Sequence, residues 1–60
     1  MFELGDKVLI KDLGITGEIS DINVKEGYCY VDVAEEDLNG NKPELAGCSF
    51  SRKLSDIESV

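Results

Sequence analysis

The stretch "GDKVLIKDLGITGEISDI", from Gly5 to Ile22, decides the fold class of this chain. It places Gly14 and Gly17 between two short apolar runs. Glycine adopts positive φ angles without steric cost, so two glycines this close together allow the chain to reverse within a few residues. The stretch therefore predicts two antiparallel β-strands joined by a tight loop that both glycines shape.

The second apolar run contains a slip in its alternation. Within "EISDINV", at 18–24, Ile19 falls on one parity, whereas Ile22 and Val24 fall on the other. Strict alternation would bury one set and expose the other. We therefore predict a β-bulge or sharp bend near 20–21 that lets both sets face the core.

The rest of the chain also has the pattern of strands and turns. "KVLIK" at 7–11 and "YCYVDV" at 28–33 alternate as half-buried strands do, and "AGCSFS" at 46–51 is a further strand candidate. "KEG" at 25–27 is typical of a hairpin loop with Gly27 in the left-handed conformation. In the run at 28–33 the inward positions are Cys29, Val31 and Val33, and the outward positions are Tyr28, Tyr30 and Asp32.

Asn39-Gly40 is the strongest short hairpin signal in the chain. A two-residue turn there would put the two cysteines in diagonal positions about 7–8 Å apart, which is poor geometry for a disulfide. A shift of the register by two residues would keep every side chain on its face and would bring the cysteines opposite each other. The apolar pairs predicted by the two-residue turn are Val33 with Ala46, Val31 with Cys48, and Cys29 with Phe50.

The last segment, "RKLSDIESV" at 52–60, has apolar residues at a spacing of three. That spacing predicts one helical or 3₁₀ turn followed by a short final strand. Together these patterns predict a single all-β domain over 1–60, a five-stranded and strongly bent antiparallel barrel. The side chains expected to line its interior are Val8, Ile10, Ile19, Ile22, Val31, Val33, Cys48 and Phe50.

The opening stretch resembles the KOW-type beginning of small Src-homology-3-like barrels. "GDKV" at 5–8 matches the first strand of that pattern, and "GEI" at 17–19 matches its key glycine and the strand that follows. KOW domains occur in ribosomal proteins and in NusG-like transcription factors, where they contact RNA or protein. Those nucleic-acid binders usually carry Lys or Arg around the glycine loop, whereas the loop at 12–18 contains neither. The resemblance therefore implies the fold and leaves the ligand open.

Composition excludes several classes of function. The 60 residues include 6 Lys and Arg against 13 Asp and Glu, a formal net charge of -7, which repels nucleic acid and anionic membranes. An acidic domain of this kind could instead mimic nucleic acid toward a basic protein. The chain shows no signal-peptide pattern and no run of about 20 apolar residues, so we expect a cytoplasmic location without membrane contact.

Side chains suited to catalysis or metal binding are scarce. The sequence contains no histidine, and its two cysteines, Cys29 and Cys48, lack C-x-x-C spacing. We therefore predict no catalytic, cofactor or metal site, and two free thiols that are either small core residues or a redox pair. The acidic run 35–37 is read as a solvated charged turn that discourages edge pairing, or alternatively as a calcium site that lacks the usual ligand frame.

Tyr28 and Tyr30 are the candidate functional pair. They share the outward face of their strand with Asp32 and are predicted to lie opposite small serines. Two aromatic rings beside a carboxylate are suited to a basic or proline-containing peptide. The alternative is that the rings cover part of the barrel or pack on Phe2 or on the C-terminal turn. We accordingly predict a non-enzymatic protein-interaction module with Tyr28, Tyr30 and Asp32 as its partner-binding residues.

Overall fold

Five antiparallel strands form one strongly curled sheet in the computed structural model, which describes residues 2–60. The strands are β1 (Lys7–Ile10), β2 (Ile15–Asn23), β3 (Tyr28–Asp32), β4 (Ser49–Lys53) and β5 (Ile57–Ser59). Their order across the sheet is β4-β3-β2-β1-β5, so β4 and β5 are its two end strands. The predicted all-β class with five antiparallel strands is confirmed.

The two glycines of the opening stretch have different roles. Gly14 has a φ of 69° and shapes the loop between β1 and β2, as predicted. Gly17 does not reverse the chain, so that prediction is wrong: it lies inside β2, opposite Val8. A Cβ added at Gly17 would lie 2.6 Å from Cγ1 of Val31 and 2.7 Å from the backbone oxygen of Asp32. The missing side chain therefore allows β3 to approach β2 closely.

The predicted irregularity in β2 is present. The register between β2 and β3 shifts between Ile19 and Asp21, which marks the β-bulge. The bulge lets both Ile19 and Ile22 contact the core. Val24 was also expected to face the core, but its side chain is 55% exposed, because β2 ends at Asn23 and Val24 belongs to the following turn.

The connection between β3 and β4 differs from the two-residue hairpin predicted at Asn39-Gly40. A single helical turn, α1 (Glu35–Leu38), follows β3, and Asn39 ends it in the left-handed conformation with a φ of 52°. A 3₁₀ turn at Pro43–Leu45 then leads to β4. The helical turn brings Leu38 into the core, where it is 4% exposed, and burial of this side chain accounts for the longer connection.

The longer connection shifts the pairing of β3 with β4 by two residues. Val31 faces Phe50, and Cys29 faces Arg52, so each side chain keeps its predicted face but changes its partner. The shift is opposite in direction to the one that would bring the cysteines together. In the new register the N–H of Val33, and not that of Cys29, lies beside Cys48 and donates to its backbone oxygen at 2.9 Å. Both thiols are free.

The core is built mainly from residues of the first three strands. Ile15, Leu38 and Ile57 are buried in addition to the predicted set, and Cys29 is buried as its inward position in the run at 28–33 predicts. Cys48 is a correction to that set, because it is only half-buried and lies outside the core cluster. Of the predicted core residues, Val8, Ile10, Ile19, Val31 and Val33 are buried, and Ile22 and Phe50 are half-buried against them.

The C-terminal segment matches its prediction. A 3₁₀ turn at Leu54–Asp56 follows β4 and leads into β5. It is tied to the rest of the sheet at both ends, because Leu54 N–H bonds to the oxygen of Gly27 at 2.9 Å and Lys11 N–H bonds to the oxygen of Asp56 at 3.1 Å. Among residues 2–60, no helix is both long enough and apolar enough to cross a membrane.

We expect thiol reagents to distinguish the two cysteines in the native state. Cys29 is fully buried, and burial raises the pKa of its thiol above the ordinary value of 9.0. Cys48 is half-buried. Mass spectrometry during alkylation should show fast modification of Cys48 and slow modification of Cys29 that accelerates in denaturant. Equal rates for the two thiols under native conditions would contradict the packing described for Cys29.

Candidate partner-binding face

The outward side of β3 carries the three residues predicted to bind a partner. Successive side chains of a strand point to opposite sides, so burial of Cys29 and Val31 places Tyr28, Tyr30 and Asp32 on the solvent side. Tyr28 is 37% exposed and Tyr30 is 41% exposed. Tyr28, Tyr30 and Asp32 together form the tyrosine face.

The two tyrosine rings contact each other edge to face. Their centroids lie 5.9 Å apart and their planes are inclined by 85°. Such a pair is favourable by about 0.5–1.5 kcal/mol beyond the area it buries, so each ring limits the rotation of the other. Phe2 packs against the core, where it is half-buried, rather than joining the tyrosine pair as an exposed ring.

The neighbouring strand leaves most of this face open. Ser51 of β4 lies opposite Tyr30, and Ser49 lies opposite Asp32. Small side chains at both positions leave access to the tyrosine face from the β4 side. Tyr28 was predicted to lie opposite a serine, but the shifted register places Lys53 there. The resulting shallow depression is lined by Tyr28, Tyr30, Ser51, Arg52, Lys53 and Asp56.

Asp32 connects three strands through one of its two carboxylate oxygens. Its Oδ1 accepts hydrogen bonds from the Ser20 hydroxyl of β2, at 3.1 Å, and from the Ser49 hydroxyl of β4. Its Oδ2 accepts none from residues 2–60. Asp32 is thereby held in position while one oxygen and the negative charge remain available to a cation.

An acidic groove continues from Asp32 toward α1. Its charged lining consists of Glu18, Asp32, Glu35, Glu36, Asp37 and Lys7. Lys7 donates to Oδ1 of Asp37 at 2.7 Å, so these two charges compensate each other. Glu18, Asp32, Glu35 and Glu36 are exposed and have no ion pair within residues 2–60. The acidic groove is therefore negative along the side that meets the tyrosine face.

Asp37 departs from the solvated turn predicted for 35–37, because its side chain is only 7% exposed. Burial alone would raise the pKa of Asp37, but hydrogen bonds from Lys7, from the Ala34 N–H and from Thr16 hold it below the ordinary value of 3.8. The bond to Asp37 also raises the pKa of Lys7 above its ordinary value. Asp37 thus anchors α1 to the sheet.

Residues 2–60 contain no cluster of side chains arranged to hold a metal ion.

Most of the positive charges are engaged within the chain. The Lys11 ammonium bonds to the oxygen of Ser55, and the Lys42 ammonium bonds to the oxygen of Leu13. Arg52 forms two hydrogen bonds with Asp12, at 2.9 and 3.0 Å, and this guanidinium lowers the pKa of the Asp12 carboxyl. With Lys7 held by Asp37, the cations do not form a continuous basic surface.

Several residues of this surface were missed by the sequence interpretation. Ser20 lies on the outward side by alternation after the buried Ile19, and the bulge leaves it without a partner residue on β3, beside Asp32. Glu18 contributes to the acidic groove because it pairs directly with Asp32 across the strands. The bulge itself was predictable from the slip in apolar parity, but the partners across the strands depend on the exact register.

Comparison of the chain with protein-family models, with curated proteins and with solved structures finds no match.

Proposed function

We propose that this chain is a cytoplasmic, non-enzymatic protein-interaction module that binds a basic segment of a partner protein on the tyrosine face. The observation that carries the proposal is a pair of exposed, mutually braced tyrosines beside a carboxylate with one free oxygen. The KOW-like opening at 5–22 supports a small barrel that acts through binding.

The chemistry of the face favours a partner with Lys or Arg beside an apolar or proline residue. The tyrosine rings supply flat apolar surface, and a cation over an exposed ring is stabilised by about 0.5–1 kcal/mol. Asp32 and the acidic groove supply the opposite charge to basic side chains on either side. Electrostatic complementarity of this kind increases the association rate and selects among partners more than it increases affinity.

We expect a Tyr28→Ser/Tyr30→Ser double variant to lose the partner. The change removes the two rings and leaves the sheet ladder intact, so the fold is retained while affinity falls by about tenfold or more. Affinity purification of the tagged protein from its native cells, followed by titration of the captured protein with labelled chain, measures this. Backbone NMR shifts should move at Tyr28, Tyr30 and Asp32.

The matched control is Leu4→Ser/Val24→Ser. These side chains are 62% and 55% exposed and lie outside the tyrosine face, so the control also removes two exposed apolar groups. It should bind as the wild type does. A partner that binds the tyrosine variant and the wild type equally would refute the assignment of the face.

A second candidate function is mimicry of nucleic acid, which the acidic groove supports. Rows of exposed carboxylates resemble a phosphate backbone in charge, and their partner would be a basic nucleic-acid-binding protein. Direct binding of RNA or DNA is less well supported, because affinity depends on phosphate contacts by Lys and Arg and four of the six cations are already bonded within the chain. Two measurements separate these roles. One is displacement of the captured partner from the chain by mixed-sequence RNA or DNA, and the other is a gel shift of RNA or DNA by the chain alone.

A further inference from the structure

The end strand β4 presents unpaired backbone groups on one edge. Two hydrogen bonds that flank its pairing with β3 fix which groups face inward: Val33 N–H to Cys48 oxygen, and Leu54 N–H to Gly27 oxygen. In an antiparallel ladder, bonded and non-bonded pairs alternate along each strand. The hydrogen-bonded pairs between β3 and β4 therefore fall at the odd-numbered residues of β3, which include Cys29 and Val31.

The backbone groups of alternate β4 residues consequently point away from the sheet. These residues are Ser49, Ser51 and Lys53, and all three are exposed. Their N–H groups donate to no acceptor within residues 2–60. The Ser51 oxygen accepts from the Arg52 guanidinium at 2.7 Å, but a carbonyl oxygen has a second lone pair that can accept another bond. β4 is thus a five-residue strand with a free edge.

We propose that this edge pairs with the β4 edge of a second copy of the chain, antiparallel and centred on Ser51. The outward groups of Ser51 then bond to those of the Ser51 in the second copy. Ser49 lies opposite Lys53 of the second copy, and the converse pair lies on the other side of the twofold axis. The two curled sheets become one continuous ten-stranded sheet.

Charge complementarity favours a second copy as the occupant. Lys53 of the second copy would lie opposite Ser49 and therefore two strands away from Asp32, where neighbouring strands are about 4.8 Å apart. Because Ser49 is small, the lysine stem can cross it and bring the ammonium to the free Oδ2 of Asp32. The twofold axis generates this ion pair twice, so the edge supplies both the cation and the carboxylate that it needs.

The other end strand lacks this arrangement. β5 has three residues, and its charged residue is Glu58. A β4 pair joins only five residues of each copy, whereas stable specific complexes typically bury at least about 1,200 Å², and each copy has a net charge of -7. The dimer is therefore weak and concentration-dependent, and it leaves Tyr28 and Tyr30 of both copies on one side of the sheet.

A charge-swap experiment tests the pairing. Sedimentation equilibrium over a wide concentration range should show weak self-association of the wild-type chain. Lys53→Glu alone and Asp32→Lys alone should each lower the association constant by about tenfold or more, because each places like charges together. An equimolar mixture of the two single variants should associate again, because each contact in the mixed pair joins opposite charges. Mixtures that behave as the separate variants do would overturn the proposal.

A proline pair provides the matched backbone test. Ser51→Pro removes the outward N–H at the centre of the β4 edge, whereas Ser59→Pro removes an outward N–H from the β5 edge. We expect the first to reduce association and the second to leave it unchanged. If Ser51→Pro fails to fold, as judged by circular dichroism, the charge-swap mixture still decides. A wild-type chain that is monomeric at millimolar concentration would also overturn the pairing.

The dimer and the proposed partner function both use the free Oδ2 of Asp32, so a variant that leaves Asp32 in place is needed to distinguish them. The Tyr28→Ser/Tyr30→Ser variant leaves Lys53, Asp32 and the backbone edge of β4 in place, so loss of partner binding with unchanged sedimentation separates the two proposals.

Discussion

Replacing Gly17 with alanine is expected to destabilise the fold by about 2–3 kcal/mol. The new Cβ would lie 2.6 Å from Cγ1 of Val31, a fully buried side chain, and 2.7 Å from the backbone oxygen of Asp32. The backbone oxygen belongs to the strand ladder and cannot turn aside, so β3 must move away from β2. For a domain of this size, whose total stability is on the order of 3–9 kcal/mol, this loss leaves a large unfolded fraction. Urea unfolding followed by circular dichroism measures it.

Gly40→Ala is the control for Gly17→Ala. Gly40 has a φ of 81°, and nothing lies within 4 Å of an added Cβ. The control therefore tests the strain of a left-handed backbone without a steric collision, and we expect it to cost about 1 kcal/mol. If Gly17→Ala lowered the free energy of unfolding no more than Gly40→Ala does, β3 would not approach Gly17 as closely as described.

Replacing Asp37 with alanine is expected to cost about 2 kcal/mol. The change removes the acceptor of the Ala34 N–H at the start of α1, the partner of the Lys7 ammonium and the partner of the Thr16 hydroxyl. Lys7 is 44% exposed and can regain water, which limits the loss. Hydrogen exchange should increase most in 34–47. Glu36→Ala is the control: Glu36 is exposed, and its replacement should change the free energy of unfolding by less than about 0.5 kcal/mol.

The contribution of Asp37 should also depend on pH. Its folded pKa lies below the ordinary value of 3.8, so the stability it adds is fully present above that value and is lost as the pH falls through the folded pKa. The difference in unfolding free energy between the wild type and Asp37→Asn should therefore be constant near neutral pH and shrink in acid. A difference that persists unchanged at low pH would show that the charge of Asp37 is not what matters.

Local patterns were sufficient for the features that depend on neighbours in sequence. Parity alone predicted the bulge near 20–21, because a two-residue period leaves no other way for Ile19 and Ile22 to reach one core. The spacing of three in 52–60 predicted the 3₁₀ turn and final strand in the same manner. The alternation at 28–33 placed Tyr28, Tyr30 and Asp32 outward.

The segment 34–47 shows where local signals failed. Asn39-Gly40 has strong hairpin propensity, but a two-residue hairpin would keep Leu38 in an extended ladder. In the folded chain Leu38 is buried in the core and Asp37 is bonded to Lys7 and Thr16, which are distant in sequence. These long-range contacts outweigh the turn propensity, and Asn39 uses its left-handed tolerance to end a helical turn instead.

The sequence by itself determined which side of each strand is apolar, where β2 bends and that the chain is acidic, because these properties follow from residue order and composition. Only the tertiary structure decided the register of β3 against β4 and the role of Gly17. Both depend on how closely strands pack, and a shift of two residues preserves every side-chain face, so alternation cannot distinguish the registers. The same packing places Lys53, rather than a serine, beside Tyr28 and leaves Ser49 next to Asp32 at the free edge of β4.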